Sequence, residues 1–373
     1  MKKKLILGVT LGGSSRLLDG QASYFKELGY EVYLISQDHF KEPIFCEREG
    51  IIHLPVNIDN KINPFKDILT FFQIVKHFRK IKPDIVNVGT FKMGLLGISA
   101  AYFCGIKNRI YTCRGLRFET EQGLFRKTLV FFDRLIVLLA NKVIYVSPST
   151  LKVSTELGIA NSSKSYIIGN GSSNGVDIER FQLNNIDSDN RKGLVEKYKL
   201  EDKLVIGFVG RVSRDKGVYE LVKVFTDLQK TYYNIHLLLM GHTDCSKETL
   251  DFISQHTSID HIPFQDDVAL YMSLFDIFVM SSWREGFPNV PIQAAAMGLP
   301  VVISDATGCV DAVQDNVNGL IYKCKNKEKL KSAIKYYILN ENKRKEHGEN
   351  GIIWAKSFGQ TKIWNGINDI YKL

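Results

Sequence analysis

Ser281-Ser282-Trp283-Arg284-Glu285-Gly286-Phe287-Pro288-Asn289-Val290-Pro291-Ile292-Gln293-Ala294-Ala295-Ala296-Met297-Gly298-Leu299-Pro300-Val301-Val302 is the stretch on which the fold turns. An apolar strand ends just before it, near Met280. A polar loop with Glu285, Gly286 and Pro288 follows, and an alanine-rich helix begins near Val290, with Pro291 tolerated in its first turn. Gly298 and Pro300 stop that helix, and the next strand opens at once. Strand, loop, helix and strand in this order make a βαβ unit, which requires a parallel sheet. The loop also has a chemistry. A carboxylate at Glu285 can accept hydrogen bonds from sugar hydroxyls, Gly286 admits a close backbone approach, and free N–H groups at the helix start favour phosphate. Gln293 lies on the helix that follows. A lone loop Glu is usually a solvated acid and a lone helical Gln a surface amide; the surrounding segment argues against both here.

Upstream, Ile206-Gly207-Phe208-Val209-Gly210-Arg211-Val212-Ser213-Arg214-Asp215-Lys216-Gly217 repeats the theme: a buried strand, a tight loop rich in cations, then a helix. Gly210 opens the loop, and Arg211 and Lys216 supply cations that can meet an anionic group there. No G-x-x-x-x-G-K-[ST] is present, so this is not a Walker loop. The bland alternative is a solvated basic turn.

Further out, strands alternate with helices along the whole chain. Lys4–Val9, Glu31–Ile35, Asp84–Val88, Arg109–Cys113 and Lys142–Val146 are expected strands of a first half. Leu204–Val209, Ile235–Met240, Asp276–Met280 and Pro300–Ile303 are those of a second. The architecture is therefore α/β, with two Rossmann-like doubly wound domains facing across a cleft and ligands at the carboxyl ends of the strands. The polar stretch 182–203 is the expected linker. It separates a first domain, 1–181, from a second, 204–352, and 353–373 is expected to form a helix packing back on the first domain. After the first strand, Gly12-Gly13 forms a tight turn that admits a ligand, although a plain turn reads almost as well. Lys92, Arg114 and Arg117 stand at or just after strand ends, where they can reach an anionic ligand or serve as interdomain ion pairs.

The segment 281–302 resembles the family 4 glycosyltransferases, retaining enzymes of GT-B fold, in which two acids stand eight positions apart inside a run of the same Gly, Phe, Pro, Asn and Val residues. Glu285, Gly286, Phe287, Pro288, Asn289 and Val290 match that run, as do Gly298, Pro300, Val301 and Val302. The second acid is Gln293 here, a neutral amide that can still hydrogen-bond a ribose hydroxyl. The resemblance implies that Arg211 and Lys216 bind the donor diphosphate, that Glu285 contacts the donor sugar, and that Gly12 and Gly13 face the cleft. It further implies a nucleotide-sugar co-substrate, a UDP-sugar above all, with no cofactor and no metal. Arg114-Gly115-Leu116-Arg117 stands where many members carry His-Gly, and it resembles a subgroup of bacterial capsule and lipopolysaccharide enzymes. This assigns Arg114, Arg117 and Lys92 to a glycan or polyprenyl-diphosphate-linked acceptor. A same-fold epimerase and a degenerate, non-catalytic scaffold are the alternatives. No G-x-G-x-x-G follows the first strand, which disfavours a dehydrogenase.

The net charge of +9, from 49 Lys and Arg against 40 Asp and Glu, favours anionic partners. Nucleic acid is not expected among them. An anionic membrane surface is, because Phe65–Lys82 and Leu124–Lys142 both read as basic amphipathic helices; ordinary packing on the sheet is the competing explanation. No segment reaches the ~18 apolar residues of a spanning helix. The six cysteines are scattered without C-x-x-C pairs, which points away from zinc and disulfides. A cytoplasmic chain is the expectation from these features, and the resemblance to enzymes with polyprenyl-diphosphate acceptors adds the expectation of peripheral attachment to the inner face of the plasma membrane.

Overall fold

Leu5, Ile6 and Leu7 of the first strand are all buried, so both faces of that strand are covered, as in a parallel sheet flanked by helices. The computed structural model describes residues 2–59, 61–245 and 247–373. By its contacts the chain divides into two units, Met1–Gly175 with Gln360–Leu373, and Val176–Gly359.

The first unit holds β1 (Lys4–Gly8), α1 (Gln21–Glu27), β2 (Glu31–Gln37), α2 (Lys41–Glu49), β3 (Ile52–Val56), α3 (Pro64–Ile81), β4 (Ile85–Gly89) and α4 (Phe91–Phe103). It continues with β5 (Asn108–Cys113), α5 (Gly123–Leu139), β6 (Lys142–Tyr145), α6 (Pro148–Glu156) and β7 (Ser165–Tyr166). Its sheet runs β3-β2-β1-β4-β5-β6-β7, and every pairing is parallel. Leu5 stands opposite Val32 on one side and Ile85 on the other. One face packs the apolar sides of α3, α4 and α5 through Ile74, Phe78, Met93 and Leu129. α3 starts where the sequence says it should: the Asn63 side chain accepts from the Lys66 amide at 3.2 Å, and Pro64 takes the first helical position.

The second unit holds α7 (Ser188–Tyr198), β8 (Leu204–Val209), α8 (Val218–Gln229), β9 (Ile235–Met240), α9 (Lys247–Ser254), β10 (Ile259–Ile262) and α10 (Val268–Met272). Then come β11 (Ile277–Met280), α11 (Asn289–Ala296), β12 (Val301–Ser304), β13 (Gly319–Tyr322), α12 (Lys327–Leu339) and α13 (Glu341–Ala355). The sheet order is β10-β9-β8-β11-β12-β13, again all parallel. In each unit the strand order reverses beside one strand, β1 in the first and β8 in the second. Such switch points open a crevice at the carboxyl edge.

Two sequence expectations change. The stretch 182–203 is not a linker. It lies inside the second unit and carries α7, whose N-cap Asp187 accepts from the Asn190 amide at 2.7 Å. Its apolar residues Leu194, Val195 and Tyr198 pack on the core of the second unit but none is fully buried, so the stripe is too short to announce the helix in the sequence. The chain leaves the first unit at Gly175 and returns to it at Gln360. The tail 353–373 is accordingly split: α13 ends in the second unit, and a last helix, α14 (Gln360–Lys372), belongs to the first. α14 buries Ile363, Ile367, Ile370 and Tyr371 against the β1 side of the core. Among the described residues no helix is long and apolar enough to cross a membrane.

Candidate active site

In the second unit, the loop after β8 and the loop after β11 meet at the switch point. A short 3-10 turn, Arg214–Lys216, follows β8, and Gly217 (φ 66) caps it and starts α8. A Cβ at Gly217 would lie 2.1 Å from the Ser281 carbonyl oxygen, so only glycine lets the two loops touch through their backbones. They are stitched on either side of that contact. Ser281 Oγ donates to the Lys216 carbonyl at 2.9 Å, and the Trp283 amide donates to the Asp215 carbonyl at 2.9 Å. Gly308 makes the equivalent approach from the loop after β12. Its φ is 78, and a Cβ there would sit 2.4 Å from the Gly286 carbonyl oxygen. The Glu285 amide donates to the Thr307 carbonyl at 3.0 Å.

This scaffold brings Lys216 and Glu285 into a direct ion pair, with both side chains largely buried. Ser282 Oγ donates to the same Glu285 oxygen at 2.9 Å. Arg211, about half exposed, pairs with Asp215 at 3.0 Å and with Asp244 at 3.2 Å. Burial pushes the Asp215 carboxyl up, but the Ser213 hydroxyl at 2.6 Å, Arg211 and Lys216 outweigh it and hold the group below its ordinary range. Beneath Glu285, burial drives the Cys309 thiol well above its usual value, so it stays protonated. Two cations and one carboxylate thus converge at one carboxyl edge, each resting on groups of opposite charge. A ligand carrying a diphosphate and a sugar could exchange with those partners.

The neighbouring residues divide. Gly210 ends β8's buried run beside Arg211, Gly286 sits in the loop, and Asn289 begins α11 directly after Pro288. Gln293 lies one helical turn on and is partly exposed between buried Ile292 and Ala294, the aspect of α11 that faces out of the core. Phe287 turns the other way: its ring packs 5.1 Å from Phe358. Val290 also packs on the core. Residues not singled out by the sequence complete the site, namely Ser282, Asp215, Asp244 and the Thr307-Gly308 pair. The first two stand beside motif residues in sequence. The others come from loops after different strands, and only the sheet order reveals them.

In the first unit, the glycine turn is occupied by its own chain. The Gly12 amide donates to Gln37 Oε1 at 3.0 Å, and the Gly13 amide donates to the buried Glu42 carboxylate. Nearby, Thr90 has φ 68, rare for a β-branched residue, and its hydroxyl lies 2.6 Å from that of Thr10. Arg114 follows β5 and lies over Gly89, where an added Cβ would strike its Nε at 2.5 Å. The Arg114 Nε is buried with no hydrogen-bond partner, and burial lowers the guanidinium to about 10, still cationic at neutral pH. Arg117 lies over the Phe91 ring at 5.9 Å. Lys92 is differently placed. Its ammonium is held by Asp67 at 2.7 Å, Asp59 at 3.2 Å and the Lys61 carbonyl at 2.6 Å. That makes it a tie between α4 and the segment leading into α3. Among the described residues no cluster of three or more His, Cys, Asp or Glu forms a metal site.

Comparison with known proteins adds three findings. Residues 11–180 match the family model described as Glycosyltransferase Family 4, and residues 190–354 match that described as Glycosyl transferases group 1. The chain is 33% identical over 376 residues to the capsular polysaccharide biosynthesis glycosyltransferase CapM of Staphylococcus aureus, covering 99% of this chain and 97% of CapM. It is 27% identical to the N,N'-diacetylbacillosaminyl-diphospho-undecaprenol alpha-1,3-N-acetylgalactosaminyltransferase of Campylobacter jejuni, covering 81% of this chain and 80% of that one. Among solved structures, Anabaena HepE in complex with UDP superposes with a TM-score of 0.81 at 19% identity, covering 98% of each chain. A glycosyltransferase from Rickettsia africae does so with 0.82 at 21% identity, covering 100% of this chain and 98% of that one. Both are likenesses of fold.

Proposed function

The chain belongs to the family 4 glycosyltransferases, and on that premise we propose that it moves a sugar from a UDP-sugar to a lipid-diphosphate-linked saccharide in surface polysaccharide synthesis, with retention at the sugar's anomeric carbon. The observation that carries this reading is the convergence of Arg211, Lys216 and Glu285 at the carboxyl edge of β8 and β11. When the donor binds, its diphosphate takes Arg211 from Asp215 and Asp244, and takes Lys216 from Glu285. Glu285 is then free to accept hydrogen bonds from the sugar hydroxyls. Gln293 reaches the ribose as a neutral amide. The cations stabilise charge on the leaving diphosphate and need no metal to do so. With no histidine in place of Arg114, the leaving phosphate takes the acceptor's proton on the face it has just vacated.

The acceptor assignment draws on the uncompensated Arg114 and Arg117 of the first unit. It is also supported by the Campylobacter relative, whose name specifies a diphospho-undecaprenol-linked substrate, and by the capsular relative. Attachment to an anionic membrane from the cytoplasmic side fits the net charge of +9. The test pairs binding with turnover. UDP-sugars should raise the thermal midpoint more than GDP- or ADP-sugars, since a ligand specific to the native state stabilises it. Transfer to a lipid-diphosphate saccharide should persist in excess EDTA, with the anomeric configuration kept by NMR. Strict dependence on added Mg²⁺ or Mn²⁺ overturns the leaving-group account, and inversion overturns the mechanism. Donor conversion without any acceptor makes the enzyme an epimerase.

A further inference from the structure

The first unit contains a pocket of about 340 Å³ between α3 and α4, within the size range of small-molecule sites, about 300–1,000 Å³. Its walls are Ile68 and Phe71 of α3, Phe91, Leu95 and Leu96 of α4, and Phe132 of α5. An apolar pocket of this kind does not suit a sugar, which needs hydrogen bonds along its length. Polarity is confined to a few residues. Lys92 is neutralised by Asp67 and Asp59, whereas the Arg117 guanidinium lies on the Phe91 ring and has no carboxylate partner among the described residues. Arg117 is therefore the net positive charge of the pocket.

The face on which the pocket opens is apolar as well. Ile68 lines the pocket and is also 55% exposed. On the same helices Phe65, Leu69, Phe72, Leu124 and Phe131 are all more than half exposed, with Lys66 and Lys127 exposed among them. Exposed apolar side chains interspersed with lysines suit the interfacial layer of an anionic bilayer. A ligand entering there from the membrane would bring a hydrocarbon chain with an anionic end.

We propose that this pocket seats the first isoprene units of a polyprenyl diphosphate acceptor, with Arg117 on its diphosphate. The proposal rests on the reading of a lipid-linked acceptor given above. It makes the hydrocarbon next to the diphosphate, and not only the saccharide beyond it, a determinant of acceptor choice.

Calorimetry of the full chain with farnesyl diphosphate, inorganic diphosphate and farnesol tests it, with UDP binding as the folding control. Farnesyl diphosphate should bind at least tenfold more tightly than inorganic diphosphate. Ser99→Phe, which fills the pocket from α4, and Ile68→Glu, a surface change that puts a charge at the mouth, should each erase that advantage. Arg117→Gln should weaken farnesyl diphosphate and leave farnesol unchanged. Equal binding of the prenylated and inorganic diphosphates overturns the proposal, as does wild-type affinity in both Ser99→Phe and Ile68→Glu. Those results with normal transfer to a lipid-linked saccharide remove the pocket and leave the proposed function standing. Pocket-dependent prenyl binding with transfer only to soluble glycans removes the lipid acceptor and leaves the pocket standing.

Discussion

Glu285 is held by Lys216 and by the Ser282 hydroxyl at 2.9 Å, on a loop whose own amide is fixed to Thr307. The fold does not depend on its charge, because the loop is anchored by backbone contacts. Glu285→Gln keeps the shape and the Ser282 hydrogen bond but removes the charge. We expect turnover to fall by roughly 100-fold, the scale of losing one transition-state contact, with the thermal midpoint nearly unchanged. Turnover close to wild type would remove Glu285 from the site, and a collapsed midpoint would make it structural. Asp133, on α5, is the opposite kind of acid. It is 4% exposed, its Oδ2 has no hydrogen-bond partner, and burial raises its carboxyl to about 7. The folded state therefore holds this proton more tightly than the unfolded chain does. The resulting stability is complete below about pH 4 and is lost as pH rises toward about 7. In urea melts at pH 5 and pH 8, wild type should lose more stability across the interval than Asp133→Asn, which has nothing to titrate there. Parallel losses in the two proteins would show that Asp133 is already ionised in the fold.

At the scale of elements, the candidate site is a junction of loops, and Gly217 controls it. The residue needs a positive φ and must pass against the Ser281 carbonyl. Alanine there costs about 1–2 kcal/mol for the left-handed backbone alone, before the β11 loop is pushed away. Gly217→Ala should lower the thermal midpoint by several degrees and weaken UDP binding at least tenfold, because Lys216 and Glu285 are positioned by this contact. A variant that melts lower but binds UDP normally would show that the junction supports the fold alone.

At the scale of the whole molecule, the chain crosses from the first unit to the second and comes back. α14 closes the first unit through Ile363, Trp364, Ile367, Ile370 and Tyr371, each no more than 9% exposed. Asn87 Nδ2 donates to the Tyr371 hydroxyl at 2.7 Å, and Trp364 Nε1 donates to Asn174 Oδ1 at 2.8 Å. At about 1.5–3 kcal/mol for each buried side chain, the loss approaches or exceeds the 5–15 kcal/mol by which a domain is stable. A chain ending at Gly359 should therefore keep a protease-resistant second unit and lose resistance in residues 1–175. Equal resistance of the two units would show that the first closes its core without α14.

Much of this was legible in the residues because it is local. Strands such as Leu204–Val209 are apolar throughout, since both faces of a parallel sheet are covered, and the turns between 281 and 302 are written in Gly, Pro and Asn. Arg211, Lys216 and Glu285 could be named for the same reason, each standing next to a strand end. The sequence alone thus determined two parallel α/β halves and singled out Arg211, Lys216 and Glu285, which the fold brings to one carboxyl edge. It did not show α7, whose apolar stripe is short and only partly buried, nor that Lys92 is neutralised by Asp59 and Asp67, nor that Gln37 and Glu42 already occupy the amides of the glycine turn. Those depend on which loops the strand order brings together. The return of α14 to the first unit and the enclosure of an apolar pocket by α3, α4 and α5 are likewise settled by long-range packing, which only the tertiary structure decides.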